Sequence, residues 1–262
     1  MDVRGSRCVV TGPRPGVGAE GARQPAYQDA AVAVLDVEAP DVPAGRFVEC
    51  DSSNPASTDD AVDELGTGRD VVCNVAGLAG TAPAELVMRD NFPGHRHVTE
   101  RLPDRMNDGV SLVAVASMAR FGRPRRLEQL RQSLNRDDLD CGPVRLRDNQ
   151  VSGNAYSFSK EAATVYVMTM VLPLAERGLR INAVSPGPAE EPVLDDFATI
   201  VGKDDLPSVR NLVGRYAESA DIAPVTVHPS SGDSAWIKGS NIIADGGIGD
   251  AILSGVITGP DR

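Results

Sequence analysis

Tyr156 and Lys160 stand in a Tyr-x-x-x-Lys spacing. On a helix, residues four apart share one face. A nearby ammonium stabilises a phenolate and lowers the pKa of the tyrosine. Such a tyrosine exchanges a proton with an alcohol or carbonyl oxygen near neutral pH. Ser117 ends the apolar run Val110–Ser117, and its hydroxyl can hold that same oxygen. Taken alone, Tyr-x-x-x-Lys is a common chance pattern and usually structural, so its neighbours decide the reading.

A second constellation lies near the amino end. Thr11-Gly12-Pro13-Arg14-Pro15-Gly16-Val17-Gly18 follows the apolar run Arg7–Thr11 and precedes a helical stretch. Gly12, Gly16 and Gly18 allow a tight turn in which backbone N–H groups approach a pyrophosphate. The following helix, starting near Val17, turns its positive end to the anion. Asp36, with Val37 behind it, closes the next apolar run. A carboxylate there accepts hydrogen bonds from a ribose diol and repels a 2′-phosphate, which favours NAD over NADP. Arg14 works in the opposite sense, because a guanidinium can pair with that phosphate.

Both constellations need a scaffold that brings strand ends together. Apolar runs at Arg7–Thr11, Val32–Asp36, Phe47–Asp51, Asp70–Val75, Val110–Ser117, Arg180–Ser185 and Asn241–Asp245 are continuous rather than alternating. Strands buried on both faces read this way. Helix-length segments separate them: Ala56–Leu65, much of Pro83–Met106, and about Asn154 to Arg177. The expectation is one α/β domain over residues 1–262, a doubly wound Rossmann-type seven-stranded parallel sheet with helices on both faces. Pro25, Pro173, Pro224 and Pro229 predict kinks or short helices.

Composition removes several classes. The 262 residues carry a net charge of −11 with 4% aromatics. An acidic surface argues against nucleic-acid binding and against docking on an anionic membrane. No apolar run approaches the ~20 residues of a bilayer span. Asp2 and Gly12 interrupt any leader pattern, so a cytoplasmic protein is expected. Cys8, Cys50, Cys73 and Cys141 are widely spaced and read as reduced thiols. His95 and His97 lie in a helical pattern without Cys or carboxylate partners, so they read as surface histidines and no metal site is expected.

With these residues in place, the chain resembles a classical short-chain dehydrogenase/reductase over nearly its whole length. The resemblance rests on Thr11–Gly18, Asp36, Asp51-Ser52, Asn74-Val75-Ala76-Gly77, Asn91-Phe92-Pro93-Gly94, Ser117 and Tyr156/Lys160. Arg180-Ile181-Asn182, Pro186-Gly187 and Asp245-Gly246-Gly247 complete it. It implies a catalytic tetrad of Asn91, Ser117, Tyr156 and Lys160. Tyr156 would be the acid/base, and Ser117 would orient the substrate oxygen. Lys160 would lower the tyrosine pKa and bind the nicotinamide ribose, and Asn91 would help hold a relay water. Asp51 and Ser52 would face the adenine. Asn74, Ala76 and Gly77 would line the adenine-ribose side, and Pro186, Gly187 and Ala189 the nicotinamide.

The segment from Ala119 to Gly153 is an Arg-rich insertion between Ser117 and Tyr156, helical in pattern at Arg125–Asn135. With it the chain resembles bacterial 3α-hydroxysteroid dehydrogenase/carbonyl reductases, which carry a similar insertion. In that subfamily the insertion obstructs one tetramer contact and favours a dimer, so a homodimer or homotetramer is implied. Pro188–Leu212 reads as a substrate lid. Two departures bear on the cofactor: Pro15 removes a hydroxyl contact, and Glu191 stands where relatives often have Thr. The resulting expectation is an NAD-dependent enzyme interconverting a secondary alcohol and a ketone on a hydrophobic ring system. The alternatives are a non-redox dinucleotide-binding protein, or an enzyme using bound NAD for epimerisation or dehydration.

Overall fold

A computed structural model describes residues 3–41, 45–118, 123–134, 155–190, 194, 210–211 and 213–256. Its centre is a seven-stranded parallel sheet in the order β3-β2-β1-β4-β5-β6-β7. The strands are β1 (Arg7–Thr11), β2 (Ala31–Asp36), β3 (Arg46–Glu49), β4 (Arg69–Asn74), β5 (Met106–Val115), β6 (Arg180–Pro186) and β7 (Asn241–Ala244). Central strands are buried on both faces: Val9 and Val10 on β1 and Ala183 and Val184 on β6 are fully enclosed. That is why their sequences run apolar without alternation. β5 begins earlier than its apolar run, because the partly buried Met106 already pairs with Arg69 on β4, ahead of a register shift across the exposed Asn107–Gly109.

The helices are α1 (Val17–Tyr27), α2 (Pro55–Leu65), α3 (Ala84–Arg89), α4 (His95–Arg101), α5 (Arg123–Leu134), α6 (Ala155–Thr169), α7 (Val171–Ala175), α8 (Ser219–Val227) and α9 (Ile248–Leu253). Prolines explain where the expected long helices break. Asp90–Gly94 between α3 and α4 is a π-helical turn containing Pro93. Pro93 has no N–H for the Arg89 carbonyl, so the ladder slips, and the His95 N–H reaches back five residues to Asp90. Pro173 likewise has no N–H for the Thr169 carbonyl, so α6 ends there and α7 restarts the chain. Pro25 falls in the last turn of α1, where the helix ends anyway, and α8 runs through Pro224.

Several residues of the family pattern hold the fold. Arg180 is buried and donates to the carbonyls of Pro229, Ser231 and Ser234, which fastens the turns after α8 under the sheet. The amide of Asn182 bridges to the Ile237 carbonyl and the Ser240 N–H, setting the approach to β7. Asp245 accepts from the N–H groups of Gly247 and Gly249 and so caps the start of α9.

Cys8, Cys50 and Cys73 are buried free thiols; burial pushes the Cys8 pKa up to about 12. Cys141 lies outside the described residues. One expectation is corrected: His95 is not a surface residue. It is 3% exposed, turned inward by the π turn that precedes it, and burial holds its pKa down to about 3. His97 is half-buried and pairs with Asp59 at 3.0 Å.

Candidate active site

The sheet order reverses between β1 and β4, and the chain diverges there to opposite sides. A crevice opens at the carboxyl ends of these strands, where ligands bind in such sheets. Thr11 is the knot that ties it. Its hydroxyl donates to Asn74 Oδ1 at 2.7 Å and accepts from the N–H groups of Val75 and Ala76. The loop after β1 and the loop after β4 are thereby fixed to each other.

The glycines are required by close approach. Gly12 adopts φ +63°, and a Cβ there would lie 2.5 Å from the Ala76 Cα. A Cβ on Gly18 would collide with the Gly12 carbonyl oxygen. Gly16 has φ 125° at the cap of α1. No larger residue makes this cradle without moving backbone, and the N-terminus of α1 stands behind it. Asp36 sits at the rim, 9% exposed, and its Oδ1 accepts from the Val37 N–H at 2.7 Å. Arg14 Nε lies 3.6 Å from the same oxygen, with its side chain 63% exposed. The expected opposition of Arg14 and Asp36 is therefore a contact.

Gly12, Arg14, Val17, Gly18, Gly77, Ser117, Tyr156, Lys160, Pro186, Gly187 and Ala189 line one open cleft, together with Val115, Pro188 and Leu194. The other predicted residues stand outside it. Asp51 accepts from the N–H and hydroxyl of Ser53, and Ser52 donates to Asp90. Asn74 is turned inward, its amide shared among Thr11, the His95 carbonyl and Thr99. Those bonds tie the end of β4 to Thr11 and to α4. Glu191 and most of Pro188–Leu212 lie outside the described residues, as does the insertion apart from α5.

Ser117 lies two residues beyond β5 on chain that still pairs with β6, the Met118 N–H donating to the Pro186 carbonyl at 2.9 Å. Tyr156 stands in the first turn of α6, and Lys160 follows one turn on. Lys160 is 5% exposed, and its Nζ donates to the Val115 carbonyl at 3.1 Å. The ammonium lies 5.7 Å from the centre of the Tyr156 ring. Burial pushes the lysine pKa down to about 8, against an upward pull from Asp90. Asn91 is fully buried in the π turn; its amide accepts from the Leu78 N–H and donates to the Leu78 carbonyl. A Cβ on Gly77 would lie 3.0 Å from Asn91 Oδ1 and 3.1 Å from Lys160 Nζ, so both groups converge on that glycine.

Four groups at the site escaped the reading of the sequence: Thr11 as a bridge, the Val115 carbonyl, Asp90 and His95. Burial raises the Asp90 pKa, offset by the Ser52 hydroxyl and the charge of Lys160. Neither ring nitrogen of His95 has a partner among the described residues. The Pro93 signal, which predicts a helix defect at Asn91, was the one available clue. Among the described residues there is no cluster of metal-ligating side chains, and no helix is long and apolar enough to cross a membrane.

Comparison with known proteins agrees with this geometry. Residues 145–249 match the family model described as enoyl-(acyl carrier protein) reductase. The chain is 32% identical over 250 residues to the coniferyl-alcohol dehydrogenase of Pseudomonas sp. strain HR199, covering 95% of this chain and 98% of that one. It is 28% identical to the 4-formylbenzenesulfonate dehydrogenase of Comamonas testosteroni, over 94% and 99% of the two chains. The 3α-hydroxysteroid dehydrogenase of Pseudomonas sp. B-0831, solved with NADH, superposes with a TM-score of 0.79 at 26% identity over 96% and 100% of the chains. The chain belongs to the short-chain dehydrogenase/reductase family and is an oxidoreductase of that family.

Proposed function

We propose that this chain is an NAD-dependent alcohol dehydrogenase/ketoreductase acting on an alcohol or carbonyl borne on a hydrophobic ring. The observation that carries this reading is the convergence of Tyr156, Lys160 and Ser117 on the cleft that the glycine loop opens. The cradle of Gly12, Gly16 and Gly18 suits a pyrophosphate, and the strand-end carboxylate of Asp36 at the rim suits a ribose diol. When bound, the nicotinamide dinucleotide would supply or accept the hydride.

The chain's own residues handle the proton. Tyr156 Oη would receive it from an alcohol or give it to a carbonyl. Lys160, fixed by the Val115 carbonyl, would hold its charge near the phenolate and favour it. Ser117 would orient the substrate oxygen. Asn91, locked to Leu78, would fix the π turn beside Lys160 and help hold a relay water. The position of α5 over α6 supports a dimer in which the insertion covers that helix.

Arg14 makes the cofactor preference a matter of degree, because its charge offsets that of Asp36. Titration with NADH and NADPH tests this part: tighter NADH binding is expected, and tighter NADPH binding overturns the Asp36 argument. Relatives named for coniferyl alcohol, 4-formylbenzenesulfonate and a 3α-hydroxysteroid define the substrate panel. Turnover of a panel member by the wild type, lost in Tyr156→Phe, is the expected result. Equal rates in the two proteins would overturn the proposal, and product without net change in cofactor redox state would indicate epimerisation or dehydration.

A further inference from the structure

The inserted helix and the catalytic helix are joined by an ion pair that the proton transfer does not use. Glu161 follows Lys160 on α6 and is 0% exposed. Its Oε1 accepts from Nη2 of Arg126 on α5 at 2.7 Å, and the Arg126 side chain is 12% exposed. The guanidinium also lies 5.9 Å from the centre of the Phe158 ring. Leu130, one turn further along α5, is fully buried in a cluster with Phe158, Ala162 and Tyr166, against which Tyr156 packs.

Helix geometry gives this contact its direction. Successive residues on a helix turn by about 100°. Tyr156 and Lys160 face the cleft, and Glu161 therefore faces sideways, onto α5. One side of α6 is held to β5 through Lys160 and Val115; the other is held to the insertion through Glu161 and Arg126. Burying two charges costs desolvation that a well-packed apolar pair avoids. Such a pair is a poor device for stability alone, and it fixes relative placement closely.

Connectivity adds the catalytic consequence. The insertion is the stretch of chain that joins Ser117 to Tyr156. The two groups that must meet one substrate oxygen thus stand at its two ends. We infer that Arg126 and Glu161 are positioning residues: they clamp the insertion onto α6 and hold the Tyr156–Lys160 face in register with Ser117. This inference rests on the reading of Tyr156 as the acid/base.

The test uses the full chain with the fastest substrate of the panel above, and compares Arg126→Met/Glu161→Met, Arg126→Lys and Tyr156→Phe with wild type. The double variant leaves no lone buried charge. Its kcat is expected to fall about ten- to hundredfold, with NADH affinity within about twofold of wild type. The acid limb of its kcat–pH profile for alcohol oxidation should move to higher pH, because a displaced Lys160 supports the phenolate less. Arg126→Lys keeps the charge without the planar fork and should recover part of the rate. A folded double variant with wild-type kcat and pH profile would overturn the inference, as would a rate loss that follows the unfolded fraction alone. If the double variant fails to fold, Arg126→Lys decides, and an unchanged kcat there overturns the inference. Equal rates in wild type and Tyr156→Phe would remove the acid/base reading itself; loss in Tyr156→Phe with full rate in the double variant would remove only the clamp.

Discussion

The two halves of the cleft are built by different means. The half at β1 is a backbone structure: glycines that admit no Cβ, N–H groups at the end of α1, and one strand-end carboxylate. The half at α6 is a side-chain structure: a buried ammonium held on a carbonyl, a locked asparagine in a π turn, and an imidazole and a carboxylate enclosed nearby. Backbone sites are specified locally, by which residues fit a turn. Side-chain sites depend on what distant elements pack against them. The first half should therefore fail by losing ligand, and the second by losing rate or changing with pH.

The largest effect expected on the α6 side is from Lys160→Met. Turnover should drop by about 10²- to 10⁴-fold, the usual range for lost acid–base assistance, while the protein stays folded by circular dichroism. The matching change at the loop is Gly18→Ala, whose new Cβ meets the Gly12 carbonyl. Overpacking of this kind costs about 1–3 kcal/mol, and calorimetry should find NADH bound up to about a hundredfold more weakly. Loss of turnover without loss of binding in Gly18→Ala would break the contrast.

Two pH effects separate the halves further. Lys160 is held down to about 8 by burial. As pH rises through that value the ammonium is lost and the phenolate loses its support, so the rate of alcohol oxidation should fall. A profile still rising well above pH 8 would contradict this. His95 is held down to about 3, against an ordinary 6.5, by burial and then by the charge of Lys160. Between those values the unfolded chain binds the proton and the folded chain does not. Stability is therefore full above about pH 6.5 and declines as pH falls toward 3. The decline reaches about 2 kcal/mol near pH 5. In His95→Val that part of the pH dependence should vanish from urea melts taken at pH 7 and pH 5.

The smallest effect is expected at the rim. Asp36→Asn leaves Arg14 without its partner and removes repulsion toward a 2′-phosphate. The ratio of NADPH to NADH affinity should rise about tenfold, equivalent to about 1.4 kcal/mol. No change in that ratio would mean that Arg14 already cancels the carboxylate.

Much of this molecule was legible without coordinates. The parallel sheet followed from continuous apolar runs, and the tight turn after β1 from the glycines placed there. The pairing of Tyr156 with Lys160 followed from helical periodicity alone. What stayed hidden was long-range. His95 looked like a surface residue because the helix defect that Pro93 signals does not by itself say which way the π turn Asp90–Gly94 rotates the residue that follows it. Nor does the sequence say which partners the Asn74 amide takes: the register of β1 against β4 brings it to Thr11, and packing brings it to α4.

The sequence by itself determined the periodicities, the turn chemistry and the order of the motifs, because these depend on neighbours a few residues apart. Tertiary structure alone decided which face of α6 meets Arg126, which carbonyl steadies Lys160, and how Arg14 meets Asp36. Those contacts join residues separated by many positions, and their distances are fixed by the packing of whole elements.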